Sequence, residues 1–245
     1  MKKGIIQQIG VFLLAGAVAV NAAAAEKGHT DKAETGKKTK AKQKLAPLPL
    51  QLPVPVFMGT PPENMQLGPH IEPFSDKPRP PFLAPVGVTN LALNKKVTSS
   101  DPSPVTGTLE MLVDGNKEAV EEALVELHRR CQWVQIDLGQ PCRIYAILIW
   151  HDHSTYIVCH DVIVQVADDP DFTKNVRTLF NNDYDNSCGQ GIGRDKEYFE
   201  TYQGKLINAK GVVARYVRCY SNGSTYSSLN RYLEIEVWGV PLKKK

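Results

Sequence analysis

From residue 88 onward the chain is built of short runs in which hydrophobic and polar residues alternate. In the run WVQIDLG every second residue is aliphatic, and the same alternation recurs in YLEIEVW near the end of the chain. A period of two places the apolar side chains on one face of an extended strand. Eight runs are predicted as strands: Asn90–Ser99, Trp133–Leu138, Arg143–Trp150, Asp161–Ala167, Asn175–Phe180, Lys196–Tyr202, Ala214–Tyr220 and Tyr232–Trp238.

Turn-forming dipeptides such as Asp114-Gly115 and Asn222-Gly223 separate these runs. Strands do not alternate with helices here, so the pattern predicts an all-β antiparallel sandwich or jelly roll and argues against a parallel sheet. A domain of about 150 residues buries roughly 70% of its unfolded surface and does not depend on disulfides to fold. Glu118–Arg130 stays open, because its apolar positions have helical spacing while Val125–Leu127 suits a strand equally well.

The first 25 residues have the pattern of an export signal. Two lysines precede a short apolar run at Val11–Val20, and Ala22–Ala25 offers small-residue cleavage sites. The run is shorter than the roughly 20 residues needed to cross a bilayer as a helix. We therefore expect an exported bacterial protein, periplasmic or secreted, without a transmembrane span after cleavage. The alternative is an uncleaved N-terminal anchor.

Two segments of biased composition precede the predicted domain. Residues 26–44 are rich in lysine and nearly free of apolar residues, so they are predicted to be disordered, either as a spacer or as a contact to anionic surfaces. Residues 45–87 hold most of the prolines and are predicted to be extended, as a linker or as a strap docked on the domain. The domain itself is predicted at 88–240, followed by a basic tail at 241–245.

The net charge of +3 does not belong to the predicted domain. Residues 88–240 carry 15 Lys and Arg against 20 Asp and Glu. The excess of basic over acidic residues therefore lies outside the predicted domain, in the signal and the tails. Binding to nucleic acid requires a basic surface on the folded part, which this distribution argues against.

Motifs along residues 88–240 resemble a known family. They are, in order, NLALNKKVTSS, LVDGN, WVQIDLG, a hydrophobic strand, DVIVQVADDPDF, ARYVRCYSNG and LEIEVWG. Their order and spacing resemble the discoidin family, also called coagulation-factor V/VIII C-type domains, and the Pro-rich lead-in is similar to that of small exported bacterial members. The resemblance implies an eight-stranded, galactose-binding-like jelly roll that binds glycans, lipid head groups or protein surfaces through loops at one end.

The same resemblance implies a structural calcium ion. In the sugar-binding branch of the family, an Asp-Gly-Asn turn and a glutamate on the last strand share Ca²⁺, and the matching residues here are Asp114, Asn116 and Glu234. Carboxylate and amide oxygens are the ligands that Ca²⁺ prefers. The tryptophan that usually follows the turn is missing, because Glu118–Arg130 intervenes. The alternative is a plain turn and an unrelated strand carboxylate.

Ligand-binding residues are implied in the loops after the strand RIYAILIW and before the last strand. The candidates there are His151, His153, Tyr156, Asn222, Tyr226 and Arg231. Imidazole, amide and guanidinium groups bond hydroxyls, and a tyrosine ring stacks on the apolar face of a sugar, so the expected partner is a glycan or polysaccharide. The alternative is a set of solvated loop residues with Tyr226 capping the barrel.

Two metal sites compete with this interpretation. His151 and His153 share one strand face, and His160 returning beside them would complete a three-histidine site for Zn²⁺ or Cu²⁺. The loop Asn181–Gly193 is either an acidic Ca²⁺ site or a flexible loop, and it lacks the bidentate glutamate of an EF-hand.

Five cysteines in an exported chain allow at most two disulfides, whose pairing stays open, and Cys219 is predicted to face the core. No motif of a known catalytic class is present in the sequence. The sequence thus predicts an exported, non-catalytic carbohydrate-binding module. The alternatives are an envelope structural or protein-interaction protein and a small histidine-based metalloprotein.

Overall fold

The computed structural model describes residues 43–56, 58–59, 61–65 and 68–243. The predicted export signal and most of the lysine-rich segment lie outside these residues. Within the described part, no helix is long and apolar enough to cross a membrane.

The described residues contain ten strands and three short 3₁₀ helices, connected by loops. The strands are β1 (Leu45–Pro47), β2 (Leu83–Pro85), β3 (Thr89–Asn90), β4 (Lys96–Ser99), β5 (Val125–Leu127), β6 (Gln132–His151), β7 (Ile163–Ala167), β8 (Arg177–Asn181), β9 (Lys205–Ser221) and β10 (Asn230–Pro241). The 3₁₀ helices are Pro62–Asn64, Leu109–Val113 and Glu121–Ala123.

Strands β3 to β10 are hydrogen-bonded into one eight-stranded sheet, whose two halves are called here the first and the second sheet, and the long strands β6 and β9 contribute to both. The first half of β6 pairs with β4 and with the end of β9, and β7 and β8 extend this first sheet. The second half of β6 pairs with β10 and with the start of β9, and β3 and β5 pair with β10 to complete the second sheet. A register shift between Asp137 and Cys142, where Gly139 adopts φ +83°, separates the halves of β6. All these pairings are antiparallel, so the predicted all-β sandwich is confirmed.

The main hydrophobic core lies between the two sheets. Both halves of β6 contribute to it, Ile136 from the first and Ile147 from the second, together with Val217 of β9 and Ile235 of β10. Cys219 is buried in the same core, as its position on the strand predicted. The alternation read from the sequence is therefore the alternation between core and outer face.

A second hydrophobic cluster covers the outer face of the second sheet. Leu148 and Trp150 of β6 and Leu233 of β10 pack there against Leu48 and Ala84, which belong to the Pro-rich segment. β1 and β2 pair with each other, and the amide of Leu48 donates to the carbonyl of Phe82 (3.0 Å). We call residues 43–56 and 82–88 the strap, because they lie along this sheet face.

Four of the predicted strands differ from the strands that the structure shows. Residues 90–99 are interrupted after β3, where Asn94 turns the chain with φ 56°. The two runs around Gly139 form one continuous strand, β6. Lys196–Tyr202 is not a strand and forms only isolated bridges at Glu197 and Phe199, because it pairs with single loop residues rather than with a sheet edge. Between 118 and 130, the structure has the 3₁₀ helix at 121–123 and then β5.

Candidate functional site

The loop Ser221–Leu229 displays an aromatic side chain on a tightly bonded turn. The hydroxyl of Ser224 accepts the amides of Tyr226 (3.2 Å) and Ser227 (3.1 Å), and the amide of Thr225 donates to the carbonyl of Val158 (2.9 Å). Gly223 has φ +72°, and a Cβ there would lie 2.8 Å from the carbonyl oxygen of Ser227. The backbone is thereby fixed while the Tyr226 side chain is 65% exposed.

Arg231 lies beside this ring and is held by two carboxylates. Its guanidinium carbon is 5.7 Å from the centroid of the Tyr226 ring. Its Nε lies 3.2 Å from Glu126 Oε1 and its Nη2 lies 3.4 Å from Asp152 Oδ2. Arg231 and Glu126 are register partners on β10 and β5, so the sheet itself sets the first contact. Nε forms no hydrogen bond, so these contacts are ion pairs that keep the guanidinium next to an exposed aromatic face.

A cleft of about 270 Å³ opens beside Arg231. Its polar wall combines Arg231, Glu126 and Asp152 with Thr106, whose hydroxyl donates to Glu126 Oε2 (2.9 Å). Its apolar wall includes Leu124 and Leu233 and residues of the 118–124 segment. Directed hydrogen-bonding groups thus face a small apolar surface within one cleft.

A second cleft, of about 260 Å³, is lined by Tyr226 itself. Tyr156, Thr155, Ile157 and Thr225 line it, together with Gly59 and Met65 from the proline-rich segment. The amide of Tyr156 donates to the carbonyl of Met58 (3.3 Å), and the ring of Phe74 meets Tyr156 edge-on at 5.5 Å. Residues that precede the predicted domain therefore form one wall of the candidate site.

Two predicted ligand residues lie in the interior. His151 and His153 are each 1% exposed. His151 Nδ1 lies 2.7 Å from Glu200 Oε1 and its ring packs at 4.5 Å on Tyr232, while His153 Nε2 is 3.0 Å from the carbonyl oxygen of Lys117. Successive residues at a strand end point to opposite sides, so the intervening Asp152 lines the cleft instead. Neither imidazole reaches the cleft at Arg231.

Asn222 lies apart from both clefts. Its side-chain amide donates to Asp161 Oδ2 (2.8 Å), which also accepts the hydroxyl of Ser187 (2.6 Å). Of the six predicted ligand residues, the structure brings together Tyr156, Tyr226 and Arg231. The residues that sequence reasoning missed are Thr106, Glu126 and Asp152, which join the site only through the pairing of β5 with β10 and through the alternation after β6.

The three predicted histidine ligands do not converge. His160 Nδ1 lies 3.0 Å from Glu197 Oε1, and this hydrogen bond raises the pKa of the imidazole. His151, His153 and His160 each engage a different partner. In the described part of the chain, two groups of three His, Cys, Asp or Glu side chains have donor atoms within 4.8 Å of one another: His151 with Cys159 and Glu200, and Asp161 with Asp183 and Asp185.

The predicted calcium residues do lie together. The amide of Gly115, in the middle of the Asp-Gly-Asn turn, donates to Glu234 Oε2 (3.2 Å). Glu234 is fully buried, its Oε1 has no hydrogen-bond partner, and burial raises its pKa to about 9. One oxygen each of Asp114 and Asn116 accepts a backbone amide within the turn. A buried carboxylate oxygen without a partner, beside a turn of oxygen donors, fits a hard cation.

One disulfide joins Cys131 to Cys188, with a Cα–Cα distance of 5.4 Å. Cys142, Cys159 and Cys219 are free thiols buried in the protein. The disulfide thus connects the start of β6 to the loop that follows β8.

Solved structures similar to this chain include sugar-binding modules. A CBM32 module produced by Clostridium perfringens, in complex with GlcNAc-α-1,4-galactose, is 15% identical over 63% of this chain and 96% of the module, with a TM-score of 0.45. A chitosan-binding module of a chitosanase/glucanase from Paenibacillus sp. IK-5 is 19% identical over 61% of this chain and 98% of its own, with a TM-score of 0.43. A fucose-binding module of Streptococcus pneumoniae is 18% identical over 64% of this chain and 99% of its own, with a TM-score of 0.41.

CBM32 modules are discoidin-type, galactose-binding-like domains, the family that the motif order resembles. No protein-family model matches the sequence, and no curated protein matches it. At these identities and TM-scores, the assignment of a function depends on the side chains of this chain.

Proposed function

We propose that this protein is an exported, non-catalytic module that binds carbohydrate at the Tyr226 ring and in the cleft beside Arg231. The observation that supports the proposal is an exposed aromatic face next to a guanidinium that forms ion pairs with two carboxylates. Sugar sites combine a few directed polar groups with an aromatic platform, because a pyranose ring has hydroxyls at its edge and an apolar C–H face. Both elements occur here on a backbone held by hydrogen bonds.

The charges in the cleft favour a particular class of sugar. Glu121, Glu126 and Asp152 together outnumber Arg231 by two negative charges. A uronic acid or sialic acid would place a further carboxylate near these groups, and like charges at close range repel. A neutral sugar or an amino sugar is therefore the ligand that the cleft favours.

The proposal of export is supported by the disulfide. Disulfides form in oxidising compartments such as the periplasm and the extracellular medium. The bond between Cys131 and Cys188 fits either of these locations.

We further propose that Asp114, Asn116 and Glu234 hold a structural calcium ion. The geometry that supports this is the contact of the turn with the buried carboxylate and the unpartnered Oε1 of Glu234. When bound, Ca²⁺ would neutralise the buried carboxylate and fasten the turn to β10. None of these three residues lines either cleft, so the ion would have no part in contacting the sugar.

A glycan and polysaccharide screen of the purified chain tests the main proposal, once in Ca²⁺ and once in chelator. For a glycan that binds, we expect Tyr226→Ala to reduce affinity at least tenfold, because stacking on the exposed ring is lost. Ile192→Ala is the matched control, since Ile192 is 72% exposed and lies outside both clefts. The control variant should bind like the unmodified chain.

Two results would contradict this assignment. Absence of binding to any glycan by a folded chain, in both buffers, would reject carbohydrate binding and favour an envelope protein as partner. Equal affinity of the Tyr226→Ala and Ile192→Ala variants would remove the site from this loop while leaving sugar binding in place.

A further inference from the structure

A buried cluster of three metal-ligating side chains lies close to the loop that carries Tyr226, because Cys159 forms a bridge with Ser224 of that loop. It consists of His151 at the end of β6, Cys159 in the following loop, and Glu200 in the segment that bridges to that loop. One donor atom from each residue lies within 4.8 Å of the other two. His151 and Glu200 side chains are 1% and 0% exposed, and Cys159 is 4% exposed. The donors therefore share one enclosed space.

Polar atoms in this cluster lack well-formed hydrogen bonds. Glu200 Oε2 and the hydroxyl of the neighbouring Tyr198 are buried and have no hydrogen bond of good distance and angle, although the side chains of Tyr198 and Cys159 both lie within reach of the Glu200 carboxylate. Buried polar atoms in proteins are nearly always satisfied by protein groups, by ordered water or by an ion. Oxygen atoms without a well-formed hydrogen bond, enclosed together with a histidine and a cysteine, fit a metal ion bound among them.

We propose that His151, Cys159 and Glu200 form a binding site for a divalent transition-metal ion, with zinc as the best match. A thiolate, an imidazole and a carboxylate are the donors that zinc selects among biological ligands. A thiolate and a carboxylate carry two negative charges, so with Zn²⁺ the buried site has no net charge. The hydroxyl of Tyr198 offers a fourth donor nearby.

Zinc binding would require the three donor atoms to move slightly closer to one another. Zinc–sulfur and zinc–nitrogen bonds of about 2.3 and 2.0 Å place the donors of a tetrahedral site roughly 3.5 Å apart. The donors here already lie within 4.8 Å, and His151 Nδ1 is 2.7 Å from Glu200 Oε1. The metal would take the place of the hydrogen bond between His151 Nδ1 and Glu200, with the proton of the neutral imidazole on Nε2, and the thiol of Cys159 would lose its proton to solvent.

This site is distinct from the histidine site that the sequence suggested. Only His151 belongs to both, while His153 and His160 are bonded elsewhere. The site also lies apart from the sugar cleft, which Asp152 lines from the opposite side of the strand. The proposal of a metal site therefore does not depend on the proposal of carbohydrate binding, and each can fail alone.

Metal analysis and cobalt spectroscopy test the proposal. The full chain is produced without an affinity tag, refolded with Zn²⁺ or Co²⁺ because the site is enclosed, and dialysed. We expect about one equivalent of metal per chain. The Co²⁺ form should show thiolate-to-metal charge transfer in the near ultraviolet and tetrahedral d–d bands in the visible region. Cys159→Ser should abolish the charge-transfer band, and Glu200→Gln should weaken metal retention at least tenfold.

Cys219→Ser is the matched control, because Cys219 is another buried free thiol of the same core. It should keep both the metal and the charge-transfer band. A chain that refolds without retaining metal would overturn the proposal, and so would a cobalt spectrum that survives Cys159→Ser. If the Cys159→Ser variant does not fold, the spectrum of the unmodified chain decides, since a cobalt form without a thiolate band excludes Cys159 as a ligand.

Discussion

The side chains at the end of β6 divide between the interior of the protein and the cleft beside Arg231. β6 ends at His151, and the imidazoles of His151 and His153 are both buried, with Glu200 and the carbonyl of Lys117 as their respective partners. A two-residue spacing does not specify which side of the chain is buried. Asp152, between them, lines the cleft with Arg231. The position of the site along the chain could therefore be predicted. Which side chains reach the cleft could not, because that depends on which of them are buried.

At the residue scale, Glu234 yields a prediction about calcium. Burial raises the pKa of this carboxyl from 4.5 to about 9, so the folded chain without metal holds a proton that the unfolded chain loses near pH 4.5. Calcium has to displace that proton, so its stabilisation of the fold should be small at pH 5 and increase as the pH rises toward 9. Thermal unfolding with Ca²⁺ and with chelator, across this pH range, measures the effect.

The variant Glu234→Gln makes that measurement specific. It keeps the size of the side chain and removes its charge, so the calcium-dependent shift of the melting temperature should disappear at every pH. Glu110→Gln serves as the control, because that carboxyl is exposed on the 3₁₀ helix before the turn. A calcium shift of equal size in the Glu234→Gln variant would show that calcium binds elsewhere.

At the scale of elements, alternation predicted the strands that enter sheets and failed where a segment pairs with loops. Lys196–Tyr202 has strand-like composition but meets only single residues, Ile71 and Val158 among them.

The residues of the cleft beside Arg231 could not be predicted, for a related reason. Thr106, Glu126, Asp152 and Arg231 are separated along the chain by up to 125 positions and are joined by strand pairing that alternation alone does not specify.

The strap gives a prediction at this scale. Leu48 is 9% exposed and packs in the outer cluster with Trp150, whereas Leu52, four residues on, is 45% exposed. Truncating a buried leucine removes apolar contact and leaves a cavity, so Leu48→Ala should lower the free energy of unfolding by about 2 kcal/mol. Leu52→Ala should change it by less than about 0.5 kcal/mol. Urea unfolding of both variants measures the difference, and equal values would mean that the strap does not stabilise the sheet.

Among the described residues, one disulfide adds to the stabilisation that the hydrophobic core provides. The Cys131–Cys188 bond closes a separation of 57 residues. In the chain-entropy model, a loop of this length makes the bond worth about 4 kcal/mol, chiefly by restricting the unfolded chain. The double variant Cys131→Ser with Cys188→Ser should therefore still fold. Urea unfolding should show a free energy of unfolding about 2–4 kcal/mol lower than that of the parent. The variant should keep its glycan affinity, since neither cysteine lines a cleft.

Reductant separates this effect from other consequences of the substitutions. The unmodified chain in reductant should match the stability of the double variant, while the double variant itself should not respond to reductant, because its remaining cysteines are buried free thiols. A further loss of stability in the reduced double variant would assign the cross-link to another pair. A chain produced in a reducing cytosol should show the stability of the double variant until it is oxidised, and this dependence on compartment is what the proposed export would require.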